Sequence, residues 1–557
     1  MQIQIRILLA LFISVFISTA IMPLSVHAQN LNANANVPDA LSEHVKQLTK
    51  VKLKDTAALL DEMAATGEPT LVGLFKAMLA GQLYYEKSSQ HLAELTKNTN
   101  GNYVAQSLFN PNLSKDNVSK SSYKKIRVNN KLRSKLRELI ALVQINSNDI
   151  ELRQQAVVTM IGNVTPTIKD QLNQRLDIET DQGVKDALTL AIAVYDLNES
   201  PELETQLSAI NILKNSLHPQ ARNALNQVVE TNENKPSNEV STKLISAAQS
   251  ALKKIDKKVR FYGFLEQLFF GLSLGSVLLL AAIGLSITFG VMGVINMAHG
   301  EMMMLGAYTT YVIQLLLPNH IGLSVLLAIP AAFCVSGFIG ILIERGVIQF
   351  LKGRPLETLL ATFGISLILQ QLVRSIFSPL NRQVITPEWL SGSLVINDVF
   401  SITYNRLYIL IFALLIFAAL QMLLKLSKLG LNVRAVSQNR SMARAMGIRT
   451  ERVDAMTFGL GSGVAGIAGV ALSQLTNVGP NLGQSYIIDS FMVVVFGGVG
   501  NLLGTVIGAF SLGITNKFLE PMTGAVMANI IILVFIILFI QRRPQGLFPQ
   551  KGRAAND

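Results

Sequence analysis

The chain has 557 residues, of which 50% are hydrophobic and only 15% charged, and this balance argues against a soluble globular enzyme. Residues 29–260 hold 29 Lys/Arg and 25 Asp/Glu, whereas residues 261–557 hold 18 and 11. The first part therefore has the composition of a soluble domain and the second that of a membrane domain. The net charge of +12 does not indicate nucleic-acid binding, because the basic residues of the second part lie in short loops beside apolar runs. The single cysteine, Cys334, excludes a disulfide framework and a cysteine-rich zinc site.

Residues 1–28 have the features of a bacterial secretory signal peptide. One cation, Arg6, precedes the apolar run 7–21, and Val26-His27-Ala28 before Gln29 fits a small-residue cleavage site. An uncleaved segment would instead be an N-terminal anchor. Either outcome places the domain that follows, residues 29–260, in the periplasm.

The exported domain is predicted to be helical, with little strand-like alternation. Leu136, Leu139, Ile140 and Val143 recur at three- and four-residue steps. Three later segments each open an amphipathic helix and resemble stacked helical hairpins of the HEAT kind: residues 151–156, 183–187 and 202–207. The polar composition of residues 97–130 and 231–237 predicts two flexible connections.

The exported domain offers no set of residues typical of an enzyme. Its three histidines, His44, His91 and His218, are widely separated, and it has no cysteine to complete a nucleophile–base pair or a metal cluster. The mixed signs of its charges are typical of a solvated helical surface. We expect an interaction module that docks against a soluble partner or the membrane domain.

The second part, residues 261–557, is predicted to be a polytopic helical membrane domain, which makes the whole chain all-α. Seven apolar segments are long enough to cross a bilayer: 267–290, 300–317, 322–343, 357–377, 406–424, 455–477 and 524–541. A further apolar stretch, 486–515, is interrupted by glycines. With the N-terminus outside, loops 344–356 and 425–454 and the tail are cytoplasmic and hold 14 of the 18 basic residues, in agreement with the positive-inside rule. Seven spans plus a re-entrant pair and nine shorter spans both satisfy that rule.

Two Gly- and Asn-containing breaks interrupt the apolar runs in the two halves of this domain. Such paired breaks indicate a transport pathway, because non-helical backbone is tolerated at membrane depth only where it faces protein or water. The alternative is that these glycines only permit close helix packing. Two acidic residues lie nearby, Glu301 in the first segment and Asp489 before the second. The candidate pathway residues are Asn296, His299, Gly300, Glu301, Gly497, Gly498, Gly500 and Asn501.

Loop 425–454 is longer than a simple turn between spans requires. Residues 437–446 are predicted to form one short helix ended by Gly447, with Met442, Ala443 and Met446 on a face free to dock against a cytoplasmic motor. The alternative is a basic amphipathic loop that rests on anionic lipid. The candidate docking residues are Arg434, Gln438, Asn439, Arg440, Arg444 and Gly447.

Three segments in order, residues 284–301, 434–447 and 496–505, resemble the permeases of the branched-chain amino-acid type of ABC importer. The resemblance covers residues 262–545. Within that family, an exported helical extension before the first span, together with residues 296–301 and 438–440, resembles the urea transporter permease subunit. The resemblance implies four kinds of partner: a second permease subunit, two cytoplasmic ATPases docking near residues 434–447, a periplasmic binding protein and the surrounding lipid.

The resemblance also implies a transporter component of the bacterial inner membrane, with no enzyme activity and no cofactor of its own. The chain lacks a Gly-x-x-x-x-Gly-Lys-Ser/Thr phosphate loop, so we expect the partner subunits to bind and hydrolyse ATP. Urea is the first substrate expected, and a branched-chain or other amino acid is the alternative. A passive urea channel or a membrane receptor would not need the docking loop, and a receptor would be expected to carry a cytoplasmic signalling domain.

Overall fold

The computed structural model describes residues 39–68, 70–97, 102–109, 114–233 and 239–548. The predicted signal peptide, residues 1–28, lies outside them. The structure is mostly helical, at 73%, as the sequence predicts. The chain divides into two compact units, one running to Lys214 and including Asn223–Gln249, the other comprising Asn215–Arg222 and Ser250 onward. The predicted domain boundary at residue 260 falls inside one long helix, Glu239–Met292.

Nine α-helices and five strands of the described residues lie wholly or mostly in the first unit, the last helix beginning in the short segment that belongs to the second. Its helices are α1 Asp39–Leu48, α2 Thr56–Ala65, α3 Leu71–Ala80, α4 Asn130–Gln144, α5 Ile150–Met160, α6 Pro166–Ile178, α7 Gln182–Glu199, α8 Leu203–Leu213 and α9 Pro219–Glu233. Its strands are β1 Leu83–Glu86, β2 Leu92–Lys97, β3 Tyr103–Ser107, β4 Ser114–Val118 and β5 Tyr123–Lys125.

The five strands form one antiparallel sheet in the order β4-β3-β2-β1-β5. Three of them lie within residues 97–130, so the predicted flexible connection is wrong for the part of that segment that the structure describes. The strands are three to five residues long there, and their Lys, Asn and Ser content hides the alternation. They are held in place by packing: Ala105 and Tyr123 are buried with Ala93 and Leu95 on one face of the sheet.

Local sequence signals fix the starts of the helices that follow. Asn129, Asp149, Thr165 and Asp181 each accept a hydrogen bond from a backbone N–H of the first helical turn and so cap α4, α5, α6 and α7. The three predicted helix openings coincide with α5, α7 and α8, which confirms those predictions. The second predicted connection, 231–237, is described only at 231–233, which belong to α9.

The second unit continues with a bundle of long apolar helices and a two-stranded ribbon. Its helices are α10 Glu239–Met292, α11 His299–Leu316, α12 Ile321–Gly346, α13 Pro355–Phe377, α14 Tyr404–Leu426, α15 Lys428–Gln438, α16 Arg440–Ala445, α17 Thr450–Ser473, α18 Leu482–Gly497, α19 Leu502–Thr523 and α20 Ala525–Arg542. The ribbon pairs β6 Ser393–Val395 with β7 Ser401–Thr403.

Seven helices of the described residues are long and apolar enough to cross a membrane. Six of them overlap predicted spans, but the predicted span 300–317 corresponds to α11, which is not among the seven. Its place is taken by α19, which begins inside the interrupted stretch 486–515. The break at residues 498–501 ends α18 after 16 residues, so that stretch forms one short helix and one long one.

Contacts at the two ends of the bundle show the relative directions of its helices. At one end, Lys352 before α13 donates to Asp454 at the start of α17, with Nζ 2.7 Å from Oδ2. At the other end, Arg382 after α13 and Val478 after α17 exchange two backbone hydrogen bonds of 2.7 and 2.8 Å. Helices α13 and α17 therefore run in the same direction. Helices α12 and α14, which precede and follow α13 in the chain, run in the opposite direction.

Helix α17 is the centre of the bundle and is buried along almost its whole length. Its glycines allow neighbouring backbones to approach: a Cβ at Gly466 would lie 2.6 Å from the carbonyl oxygen of Ala332 on α12, and one at Gly469 would clash with the carbonyl of Met303 on α11. Such small residues let membrane helices pack backbone to backbone. This packing fixes α11, which carries the first predicted pathway residues, against α17.

Candidate functional site

The first break, which the sequence places at residues 296–300, is formed in the structure by the non-helical residues 293–298. The chain leaves α10 through Gly293, whose φ of +68° is one that residues with a side chain rarely adopt. Asn296 and Ala298 are buried, and the Oδ1 of Asn296 accepts a 3.0 Å hydrogen bond from the N–H of Ala298. The Nδ2 of Asn296 is buried without a hydrogen-bond partner among the described residues. The non-helical segment is thus buried at Val294, Asn296 and Ala298, whereas Gly293 at its start is exposed.

Glu301 places a carboxyl group in this interior, where only 1% of the residue is exposed. Its Oε1 accepts hydrogen bonds from Ser366 Oγ at 2.9 Å and from Gln370 Nε2 at 2.7 Å. Its Oε2 has no hydrogen-bond partner within the described part of the chain. One oxygen of the carboxyl group is therefore held by two neutral donors, whereas the other is a buried acceptor without a hydrogen-bond partner among the described residues.

Sequence reasoning missed the partners of Glu301, which form a polar stripe on α13. We call Thr358, Thr362, Ser366 and Gln370 the α13 stripe; all four are buried. Thr362 Oγ1 accepts a 3.1 Å hydrogen bond from the backbone N–H of Met297 in the break. The signal was present in the sequence, because polar residues spaced by four inside an apolar run share one helix face. The most buried face of α13 is thus polar and faces the break.

His299 and Gly300 hold the start of α11 in place. The Nε2 of His299 lies 2.9 Å from the carbonyl oxygen of Ala281 and donates to it, while its Nδ1 has no partner among the described residues. A Cβ at Gly300 would lie 2.6 Å from the carbonyl oxygen of Gly483 on α18. Gly300 therefore provides the close approach of two helices, which is the packing alternative considered for the glycines.

The second break contacts the end of the chain. Asn501 caps α19, since its Oδ1 accepts from the N–H groups of Leu503 and Gly504, and its Nδ2 donates to the carbonyl of Phe548 at 3.3 Å. The N–H of Phe548 in turn donates to the carbonyl of Gly497 at 3.2 Å. The amide of Asn501 is thus occupied by backbone groups at both of its atoms.

Two glycines of this break have backbone conformations or contacts that exclude a side chain. Gly498 and Gly500 have φ values of +106° and +77°. A Cβ on Gly290 of α10 would collide with the Cα of Gly500. The structure therefore places Gly500 against α10 just before the first break, whereas Glu301 lies against α13. Asp489 is half-buried on α18.

The loop after α14 forms two short helices, so the prediction of one helix over 437–446 is wrong. Asn439 separates them with an extended φ of −150° and caps α16, its Oδ1 accepting from the N–H of Met442 at 2.9 Å. An Asn side chain competes with helical backbone in this way, which is why the helix breaks there. Gly447, at φ +86°, follows the end of α16 as predicted.

The predicted docking residues are divided between the surface and the interior of this loop. Arg434 donates to the carbonyl of Leu424, and Arg444 donates to Thr450 Oγ1 at 3.2 Å. Gln438 is exposed at the end of α15. Met442 and Met446 are 59% and 77% exposed. Arg440 differs from the rest, because its guanidinium group points to the buried Asp454.

Comparison with known proteins identifies the membrane part of the chain. Residues 267–540 match the family model described as branched-chain amino acid transport system / permease component. The high-affinity branched-chain amino acid transport system permease protein BraD of Pseudomonas aeruginosa is 30% identical over 296 residues, which cover 51% of this chain and 96% of BraD. The corresponding protein LivH of Escherichia coli is 32% identical over 298 residues, which cover 52% of this chain and 96% of LivH.

This chain belongs to the branched-chain amino acid ABC transporter permease family. A more distant relative is the probable branched-chain amino acid transport permease protein LivH of Methanocaldococcus jannaschii, 27% identical over 49% of this chain and 88% of that protein. No solved structure matches the chain. As a member of this family, the chain is a multi-pass membrane permease, and its relatives are transport permeases rather than enzymes. The family match begins at residue 267, so the N-terminal part is an addition to the matched region.

Proposed function

We propose that this chain is the permease subunit of an ATP-driven importer of the bacterial inner membrane and that it translocates urea. In this proposal a periplasmic protein delivers the solute, a second permease subunit completes the pathway, and two cytoplasmic subunits bind and hydrolyse ATP. The observation that carries the proposal is the buried carboxyl group of Glu301, with one oxygen unpartnered within the described residues, beside a non-helical break in a membrane bundle.

The proposed solute path runs along the first break and the α13 stripe. A small solute meets acceptor atoms at Glu301 Oε2, Ser366 Oγ and His299 Nδ1, and a donor group at Asn296 Nδ2. The glycines of both breaks, Gly300, Gly497, Gly498 and Gly500, contribute by allowing the backbone bends and close approaches that shape the path. Asn501 contributes by fixing the second break to α19 and to the end of the chain.

The choice of urea rests on chemical complementarity. Urea is neutral and offers four N–H donors and one carbonyl acceptor, so its binding needs oxygens and at least one donor but no fixed cation. Glu301 Oε2 provides such an acceptor and Asn296 Nδ2 such a donor, and both are buried without partners among the described residues. Arg374, a cation on the same helix as Ser366 and Gln370, donates instead to Asn481 Oδ1 at 2.7 Å toward the end of α13.

A branched-chain amino acid is the second candidate solute. It is favoured by the relatives, because BraD and LivH are both named as branched-chain amino acid transport permeases. A zwitterion requires a cation for its carboxylate and an acceptor for its ammonium group. Arg374 and Glu301 would have to supply these two groups, with Arg374 released from Asn481.

The test is uptake of labelled urea and labelled leucine, each at low concentration, in cells that lack this chain and then regain it. ATP-dependent urea uptake restored by the chain is the expected result. Restored leucine uptake instead would refute urea and support the second candidate. Uptake that persists after ATP depletion would refute the importer itself.

Two matched substitutions on α13 test the path within the same assay. Ser366→Ala removes a donor to Glu301, whereas Ser375→Ala removes a hydroxyl that only bonds the carbonyl of Gln371 on the exposed side of the same helix. We expect uptake to fall about tenfold or more for Ser366→Ala and for Glu301→Gln, because each alters the anchored carboxyl group and a lost hydrogen bond to a charged group is worth about 1.5–3 kcal/mol. Equal uptake by the Ser366→Ala and Ser375→Ala variants, at equal expression, would contradict the proposed path.

The N-terminal unit is proposed to lie in the periplasm, after export directed by residues 1–28. The support is the charge pattern: Lys352, Arg440 and Arg444 lie at the same end of the bundle, and basic loops stay in the cytoplasm. The test uses Cys334→Ser with a cysteine introduced in place of the exposed Ser121. Labelling of intact spheroplasts by a membrane-impermeant maleimide is expected; labelling only after lysis would refute this orientation.

A further inference from the structure

Four charged side chains meet at the end of the bundle where α16, α17 and the segment before α13 converge. We call Glu344, Lys352, Arg440 and Asp454 the base cluster. Asp454 accepts three hydrogen bonds: from Arg440 Nη1 at 2.7 Å, from Arg440 Nη2 at 3.0 Å and from Lys352 Nζ at 2.7 Å. Lys352 Nζ also lies 3.4 Å from Glu344 Oε1. Lys352 is therefore shared by two carboxylates, whereas Arg440 contacts only Asp454.

The base cluster holds together because its two acidic side chains are withdrawn from water. The side chains of Asp454 and Glu344 are 0% and 1% exposed, respectively, whereas the Arg440 side chain is 35% exposed. A buried carboxylate that loses its cation is strongly destabilised, since its hydration is not restored. Arg440 makes a bidentate contact with Asp454, which fixes the orientation of its guanidinium group. A single contact from a lysine would not fix an orientation in this way. Separation of the Arg440 guanidinium group from the Asp454 carboxylate is therefore energetically unfavourable.

The cluster joins the cytoplasmic loop to the helix at the centre of the bundle. Arg440 is the first residue of α16, and Asp454 lies in the first turns of α17. Farther along α17, Gly466 and Gly469 lie in backbone contact with α11 at Gly306 and Met303. Helix α11 begins at His299, about one turn before Met303 and two turns before Gly306, and its first turn carries Glu301. Packed contacts therefore connect α16 through α17 to α11, the helix that carries the carboxyl group of Glu301, so a displacement of α16 can be transmitted to that group.

We propose that the Arg440–Asp454 pair is the link through which movement of the cytoplasmic loop is transmitted to α17 and the Glu301 site. In this role Arg440 is a positioning residue that acts inside the chain, and the exposed face with Met442 and Met446 is left to meet the ATPase. The inference rests on the proposed function as an ATP-driven importer. It assigns to Asp454, Lys352 and Glu344 a part in transport that sequence motifs did not suggest.

The first experiment measures ATP hydrolysis by the complete importer in proteoliposomes, with and without the solute-loaded binding protein. The variants are Asp454→Asn, Arg440→Met and the double variant, with Arg452→Gln as the control, since Arg452 is an exposed cation two residues before Asp454 on the same helix. We expect both single variants to co-purify normally with the ATPases and to lose stimulation about fivefold or more, the lower range of ordinary coupling energies. The double variant should be no worse than Asp454→Asn, because both changes break the same contact. Arg452→Gln should match the unaltered chain.

Three results would overturn the link: wild-type stimulation in Asp454→Asn, additive losses in the double variant, or loss of ATPase co-purification in Arg440→Met alone. The last would show that Arg440 contacts the ATPase directly. An unaltered complex that no solute-loaded binding protein stimulates would instead refute the proposed function.

A second experiment tests the link without transport. The full-length chain in detergent is treated with trypsin, and cleavage after Arg434 and Arg444 is followed by mass spectrometry. Asp454→Asn is expected to speed cleavage at these loop sites relative to the unaltered chain and to Arg452→Gln, because α16 is released from α17. Unchanged cleavage would overturn the link even if the importer proposal stands.

Discussion

Glu179 is the residue whose removal should most clearly destabilise the N-terminal unit. It lies between α6 and α7 with a side chain that is 1% exposed. Arg153 donates to both of its carboxylate oxygens at 2.9 Å, and Arg175 donates to Oε2 at 2.8 and 3.1 Å. The backbone N–H groups of Thr180 and Asp181 complete the contacts at 3.0 and 3.1 Å. Glu179→Gln removes the charge but keeps the shape.

The expected loss follows from the pKa of Glu179. Burial alone would raise this pKa, but the hydrogen bonds from Arg153 and Arg175 and from two backbone N–H groups outweigh burial and lower it from 4.5 to about 2. A difference of this size corresponds to about 3 kcal/mol of unfolding free energy at neutral pH. Removing one partner of a buried ion pair costs about 3–5 kcal/mol, which is the same range.

The sign of the pH dependence follows from the lowered pKa. The native carboxylate binds its proton less readily than the unfolded one, so its stabilisation is fully present above pH 4.5 and is lost as the pH falls from 4.5 toward 2. Glu179→Gln should therefore lower stability at pH 7 and should flatten the pH dependence in that window.

The assay is hydrogen exchange of peptides from α5 and α6 in a urea series, with the full-length chain in detergent. Exchange of individual segments reports the free energy of local or global opening. Glu199→Gln is the control, because Glu199 is exposed at the end of α7 and such surface changes stay within about 0.5 kcal/mol. A Glu179→Gln variant that loses under 1 kcal/mol at pH 7, or that keeps the full acid dependence, would refute the assignment of stability to this ion pair.

Two further predictions concern packing and capping in the membrane unit. Gly466→Ala places a methyl group 2.6 Å from the carbonyl oxygen of Ala332 and should cost about 1–3 kcal/mol of stability, measured by thermal unfolding in detergent. Gly364→Ala, on α13 with open space around it, should cost nothing, and equal losses would contradict the packing argument. Asn439→Ala removes the cap of α16 and should destabilise that helix by about 1 kcal/mol, seen as faster tryptic cleavage of the loop, whereas Asn439→Asp should retain the cap. Similar cleavage of the two variants would show that the cap does not hold the loop.

The membrane helices were predictable because a long apolar run has few other uses in a protein. The breaks were predictable too, since glycine and asparagine inside such a run leave backbone groups that must be satisfied elsewhere. One predicted span, α11, is not among the seven most apolar long helices, because its 18 residues include the polar His299 and Glu301 near the start.

The partners of each site residue were beyond local sequence reasoning. Glu301 meets Ser366 and Gln370, more than 60 positions later in the chain, and Asp454 meets Lys352, 102 positions earlier. No spacing rule connects residues so far apart in the sequence. They meet only because the helices of the bundle pack against one another in the folded chain. The sheet of the N-terminal unit was missed for a related reason, since its short strands gain their stability from cross-strand packing rather than from local propensity.

The glycines of the bundle explain how a carboxyl group is tolerated at Glu301. A charged or polar group in the membrane must be enclosed by protein, and enclosure at this depth needs helices that approach more closely than ordinary side chains allow. Gly300 meets Gly483 on α18, and Gly306 meets Gly466 on α17, on either side of Glu301 along α11. A packing role and the proposed pathway role of these glycines are therefore compatible, because close packing of α11 with α17 and α18 accompanies the burial of Glu301 beside the α13 stripe.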